Sequence, residues 1–197
     1  MNNIKEHAAL VRVKEAVDLY GNMLFVGHSG GKDSCVIHHM TQRFMPEVTL
    51  VHNVKPMLSS VGGHIEELTA MYPSTLEFLY SNVALKNRMS FMPSHMMERF
   101  IRDSNLKCQI DGARIAEANR PGKSSNFIHN GINVNRQNLK PFIENGMFGL
   151  HVCYPIFDWS DDDVFDYVVK HEIQLSDEYF ENGEVMTYLE KIKNGKR

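Results

Sequence analysis

The run Ser29-Gly30-Gly31-Lys32-Asp33-Ser34 constrains this chain more than any other segment. It follows residues 23–27 (MLFVG), a short continuous apolar stretch of the kind that forms a strand buried on both faces. It precedes Val36, Ile37, Met40 and Phe44, whose spacing predicts a helix that Pro46 ends. Glycines remove side chains where a backbone must wrap an oxyanion. A helix N-terminus then aims its N–H groups and partial positive charge at the same point. Lys32 adds a full positive charge, and Ser29 and Ser34 add hydroxyl donors. Strand, glycine turn and helix together specify a phosphate cradle.

The common nucleotide-binding loop needs four residues between its glycines and a hydroxyl after the lysine to hold magnesium. Here three residues separate Gly27 from Gly31, and Asp33 stands where the hydroxyl belongs. An acid at that point repels a bare phosphate unless a cation intervenes, which makes Asp33 a candidate magnesium ligand.

The rest of the chain supplies a frame for such a turn. Leu10, Val13, Val17 and Tyr20 recur at helical spacing and predict a first helix that stops at Gly21-Asn22. Residues 48–54 (VTLVHNV) read as the next strand, 62–72 as a helix ended by Pro73, and 75–80 as a third strand. Strands alternating with helices at short spacing imply right-handed crossovers and a mostly parallel sheet. Residues 93–103 read as helical, 107–113 (KCQIDGA) as a strand, and 151–157 (HVCYPIF) as a last strand. Residues 119–138, rich in Asn, Gly, Ser, Lys and Arg, read as a long polar loop. Ser160 and Asp163 stand at capping-box spacing before a helix carrying Val164, Phe165 and Val168, and the charged tail 190–197 reads as frayed. The expected fold is α/β, a mostly parallel five-stranded sheet with helices on both faces, in one domain over 1–197.

Composition excludes several classes. With 43% hydrophobic and 23% charged residues, the chain is neither disordered nor collagen-like. No apolar run approaches the roughly 18 residues of a membrane span, and no signal-peptide core opens the chain, so a soluble cytoplasmic protein is expected. Lys+Arg 21 against Asp+Glu 24 gives −3, which offers no bulk positive field to nucleic acid. Cys35, Cys108 and Cys153 lie far apart and form no CxxC pair, which argues against a disulfide framework or a cysteine zinc site. His38 and His39 are neighbours, and neighbours on a helix diverge by about 100°, so they read as packing or surface residues. Met89, Met92, Met96 and Met97 read as core filler or a small interface, which leaves a homodimer open.

The glycine turn after a hydrophobic strand resembles the PP-loop of the N-type ATP pyrophosphatases and, more closely, of the phosphoadenosine phosphosulfate (PAPS) reductase-like family. Two downstream stretches carry the narrower resemblance. Gly112-Ala-Arg114-Ile-Ala-Glu117-Ala-Asn-Arg120 is similar to the family's Gly-x-Arg-x-x-Glu segment. Tyr154-Pro-Ile-Phe-Asp-Trp159-Ser-Asp-Asp-Asp163-Val164 is similar to its Pro-Ile/Leu-x-x-Trp-x-x-x-Asp-Val stretch. The three lie in the family's order and span roughly residues 20–180.

The resemblance implies an adenine nucleotide alpha hydrolase-like, Rossmann-like sheet. It also implies ATP, or PAPS or adenylyl sulfate (APS), as the nucleotide, with Mg²⁺ at Asp33. Lys32, Asp33 and Arg114 become the expected catalytic residues, Arg114 or Arg120 facing the α-phosphate. Gly112 belongs to the same strand end, and His52, Asn53 and Val54 face adenine and ribose. ATP would then break between its α- and β-phosphates, passing adenylate to an unknown small-molecule acceptor, with nucleic acid ranked below it. Residues 119–138 could fill the acceptor role, Lys123, Arg136 and Lys140 gripping a polyanion. A reductase reading needs a C-terminal Glu-Cys-Gly-x-His thiol, and no cysteine follows Cys153 in this sequence. A third reading is a non-catalytic nucleotide-binding module of a larger complex. Trp159 reads as a core or helix-start anchor and Asp163 as a helix cap.

Overall fold

A computed structural model describes residues 3–53, 75–79, 101–119, 125–129, 132–143, 149–175, 179–181 and 184–185. The chain opens with helix α1 (Asn3–Tyr20), then strand β1 (Leu24–Gly27), helix α2 (Lys32–Gln42), β2 (Thr49–Asn53) and β3 (Thr75–Leu79). After β4 (Cys108–Ile110) come β5 (Asn126–His129), β6 (Ile132–Asn135), β7 (Phe142–Ile143) and β8 (His151–Cys153). Helix α3 (Asp161–Lys170) and the short strands β9 (Phe180–Glu181) and β10 (Glu184–Val185) follow.

The main sheet runs β3-β2-β1-β4-β8-β7. Its first five strands are mutually parallel, as the strand–helix alternation requires. A sixth, two-residue strand, β7, pairs antiparallel with β8 at the edge, an addition that its length hides from any periodicity argument. Because β2 and β4 flank β1 on opposite sides, the crossovers leaving β1 and entering β4 diverge. The carboxyl ends of β1 and β4 therefore border a crevice, the place where open α/β sheets hold ligands.

Side chains alternate across β1 as the strand period demands. Leu24 and Val26 join Ala9, Val13 and Ala16 of α1, Val36, Ile37 and Met40 of α2, and Val164, Tyr167 and Val168 of α3. Phe25 turns to the opposite face with Val51, Ile101, Leu106 and Leu150, where residues 101–103 are helical. Helices thus cover both faces, three on one side among the described residues. The N-terminal turn of α1 is fastened to α3: Glu6 pairs with Lys170 (2.7 Å) and His171 (2.9 Å), and Lys5 with Asp163 (2.6 Å). Burial works against the Glu6 charge, but the hydrogen bonds from Lys170 and His171 outweigh it and hold its carboxyl below the usual value.

The start of α3 matches its sequence. Ser160 Oγ accepts from the Asp163 N–H (3.1 Å), while the Asp163 carboxylate accepts from the Ser160 N–H (2.8 Å), a reciprocal capping box. Trp159 is 1% exposed against Tyr167 and anchors that start in the core. The polar loop expected over 119–138 is corrected. Its described residues form the antiparallel pair β5–β6, with Val134 and Leu139 buried beside Ala113, Val152 and Tyr154. The helix at 62–72, the methionine cluster and the tail at 190–197 lie outside the described residues. No helix among the described residues is long and apolar enough to cross a membrane.

Candidate functional site

The turn from β1 to α2 sits at the carboxyl end of β1, in the crevice. The His28 N–H donates to the Val51 carbonyl (2.9 Å), carrying the β1–β2 pairing one residue past the strand. Gly30 then takes φ +80°, a left-handed conformation that L side chains rarely adopt and that glycine reaches without strain. Its N–H donates to His28 Nδ1 (3.1 Å). The hydroxyls knit the turn together: Ser34 Oγ donates to the Gly31 carbonyl (2.7 Å) and accepts from the Ser29 N–H (3.3 Å), and the two serine oxygens lie 3.2 Å apart. Gly31 is the N-cap of α2 and has no side chain to cap it. The Lys32 N–H instead donates to the Tyr179 hydroxyl (3.3 Å).

Beneath the turn lies a cluster of four charges. Lys32 Nζ donates to both oxygens of Asp33 (2.9 Å each) and lies 3.3 Å from Asp161. Arg114 has no solvent exposure. Its Nη1 donates to the Trp159 carbonyl (3.1 Å) and its Nη2 to Asp161 (2.7 Å). Arg114 Nε lies 2.7 Å from Asp33 Oδ1 but lacks hydrogen-bond alignment, so that contact is ionic. Burial opposes the guanidinium charge, while Asp33, Asp161 and Glu117 outweigh it and hold the Arg114 pKa above its ordinary value. Two cations and two carboxylates balance.

The cluster joins the three sequence signatures. Asp33 comes from the glycine turn, Arg114 from the strand-end segment, and Asp161 and the Trp159 carbonyl from the start of α3. Gly112 makes the junction close. A Cβ at that position would stand 3.1 Å from the carbonyl carbon, the carbonyl oxygen and the Cβ of Asp33. Backbone at a helix start yields little, so Gly112→Ala should cost about 1–3 kcal/mol by overpacking and weaken nucleotide binding with it. Urea unfolding and equilibrium dialysis check this; wild-type values in both would mean the segments are not in packed contact.

The sequence reading aims Arg114 at a phosphate, whereas here its guanidinium is wholly buried between Asp33, Asp161 and Trp159. Asp33, expected to hold magnesium, has two cationic partners on its carboxylate. No group of three or more His, Cys, Asp or Glu among the described residues could hold a metal. The Asp33 carboxylate as it stands is engaged by Lys32 on both oxygens and by Arg114 on one, so it presents a neutralised group rather than an open Mg²⁺ ligand. His52 and Asn53 end β2 beside β1, paired with Phe78 and Leu79 of β3, while Val54 and Arg120 lie outside the described residues. Arg136, expected to grip a polyanion with Lys123 and Lys140, is buried with its Nε 3.7 Å from Glu117. His38 packs edge-on against His28 and is pushed down to about 4 by burial and by His39.

All three cysteines are free and buried. Burial, and then the charge of Asp33, pushes Cys35 up to about 12, and burial does the same to Cys108. Cys153 is raised well above its usual value, chiefly by burial. None of them is poised as a thiolate.

Residues 23–182 match the model of the phosphoadenosine phosphosulfate reductase domain. The chain belongs to that family. Solved structures agree at the level of fold. A phosphoadenylyl-sulfate reductase from Candida auris, in a phosphate complex, superposes with TM-score 0.62 at 14% identity, over 92% of this chain and 89% of that one. A U34-tRNA thiolase from Methanococcus maripaludis, carrying a 4Fe-4S cluster, gives 0.57 at 12%, over 87% of this chain and 64% of that one. An NH3-dependent NAD synthetase from Campylobacter jejuni gives 0.55 at 12%, over 88% and 75%. No curated protein matches. The family match places the chain in the PP-loop adenine nucleotide alpha hydrolase superfamily, and the neighbours agree with its fold. The structure brings together the turn 29–34, Arg114 and the α3 start that the sequence singled out. Sequence reasoning missed Asp161 as a charge partner and Tyr179 altogether.

Proposed function

We propose that this PAPS reductase-family chain binds ATP at the turn 28–34 and breaks it between the α- and β-phosphates. The observation that carries the reading is the start of α2 at the carboxyl edge of β1, where the N-cap is a glycine that makes no side-chain cap and the turn's amides meet only neutral acceptors, Gly31 N–H on Ser29 Oγ (3.3 Å) and Gly30 N–H on His28 Nδ1 (3.1 Å). There the N–H groups and the Ser29 and Ser34 hydroxyls meet the charge that grows on departing pyrophosphate. An acceptor oxygen bonds to the α-phosphorus, the bond to the α–β bridging oxygen breaks, and its electron pair leaves with pyrophosphate. With water as acceptor the products are AMP and pyrophosphate. No step needs a general base if the acceptor is an anion such as sulfate or a carboxylate.

Arg114 acts as a positioning residue, holding Asp33, and so the turn, against the start of α3. Lys32 keeps the underside of the cradle electrically neutral, since Asp33 and Asp161 would otherwise present two negative charges to a polyanion. On this reading the end of β2, at His52 and Asn53, is assigned to adenine and ribose. A small-molecule acceptor is favoured over nucleic acid by the net charge of −3.

The burial of all three thiols speaks against sulfonucleotide reduction by this chain, because that chemistry needs a thiolate to attack sulfur. Incubation with α-labelled ATP and candidate anions should give AMP, or an adenylylated acceptor, with one pyrophosphate each; ADP and phosphate as sole products would contradict the reading. With PAPS and reduced thioredoxin, no sulfite should appear. Sulfite release that Cys153→Ser abolishes would install reductase chemistry instead.

A further inference from the structure

The Tyr179 hydroxyl touches the cradle from a part of the chain that none of the three signatures includes. Its oxygen accepts the Lys32 N–H at 3.3 Å. It also lies 3.4 Å from the point a Cβ on Gly31 would occupy, which sets it directly over the N-cap of α2. The ring is half-buried and packs against the main core, and β9 begins at the next residue and pairs antiparallel with β10. The oxygen is therefore placed by a packed ring rather than by a loose side chain.

Lys32 is the first residue of α2, and its N–H is among the amides a bound oxyanion takes at a helix N-terminus. An amide hydrogen serves one strong acceptor at a time. The geometry points to Tyr179 as a gate: its hydroxyl occupies the oxyanion position of the cradle and gives it up to a phosphate oxygen when nucleotide binds. A charged phosphate oxygen is the stronger acceptor, so the exchange runs toward ligand, at the expense of the contact it replaces. This rests on the nucleotide reading above and deepens it by naming a self-contact that regulates the same site. Apparent affinity is lowered in proportion to the closed population.

Tyr179→Phe keeps the ring on the core and removes the hydroxyl that accepts the Lys32 N–H. Calorimetry of wild type and variant with ATP, and separately with inorganic pyrophosphate, reads the effect. Affinity for both should rise about two- to tenfold in the variant, the range of one neutral hydrogen bond. Without ligand, the Lys32 amide resonance should move in the variant, which tests the contact itself. Wild-type binding with unchanged affinity in the variant would overturn the gate while leaving the nucleotide reading standing. Weaker binding in the variant would overturn it as well, because the hydroxyl would then be part of the grip on the ligand. Failure of both proteins to bind either probe would overturn the nucleotide reading and the gate together. Binding by the variant alone would support both.

Discussion

Arg114→Ala should be the most damaging single substitution in this chain. It takes the guanidinium from between Asp33 and Asp161, and it strips the Trp159 carbonyl of its buried donor. Breaking a buried ion pair by removing one partner costs about 3–5 kcal/mol. Asp33 and Asp161 keep 21% and 28% side-chain exposure, which places the expectation near the lower end. Nucleotide binding should fall along with stability, because the turn and the start of α3 lose their shared tie. Arg114→Lys separates the two roles of the side chain. It restores charge but cannot reproduce the fork that meets a carbonyl and two carboxylates, so recovery should be partial. Chemical denaturation of the three proteins checks this, and an Arg114→Ala protein of wild-type stability would remove the cluster from the fold's energetics.

Lys32→Ala should have the second-largest effect, and mainly on binding. The cluster goes from balanced to a net charge of −1 directly under the cradle. Losing one partner of a buried, hydrogen-bonded charge pair costs about 2–5 kcal/mol, which is roughly thirtyfold or more in nucleotide affinity. A second substitution decides how Lys32 acts. If it works by neutralising acids, Lys32→Ala combined with Asp161→Asn recovers part of the lost affinity. If the ammonium instead grips phosphate directly, the double variant binds no better than Lys32→Ala alone. The Lys32 partners seen here, Asp33 on both oxygens and Asp161 at 3.3 Å, lead to the first outcome.

The parallel sheet was legible because its determinants are local. Residues 24–27 are an apolar run, residues 48–51 carry the Val-Thr-Leu-Val of a strand, α1 and α2 carry helical spacing, and Ser160 with Asp163 writes its capping box within four residues. The β5–β6 pair was also written, in the Asn130-Gly131 dipeptide between two apolar-containing runs, a hairpin signal masked by the polar composition around it. Strand β7, two residues long, carries no signal of its own. The site was legible only in part, for a physical reason. That Arg114 would be buried depended on Asp161, which is 47 residues away, and Tyr179 reaches Lys32 across 147. Such contacts belong to the packing of the finished fold. Residue type could propose Lys32, Asp33 and Arg114 for one site. It could not tell a charge facing a ligand from a charge neutralising its neighbours.

Amide spectra recorded during titration with inorganic pyrophosphate test the central claim most directly, since main-chain N–H groups are the proposed grip. The account predicts the largest, saturable shifts at Gly30, Gly31, Lys32 and Asp33, reproduced by ATP. Binding that moves amides elsewhere while leaving those four unchanged would contradict it.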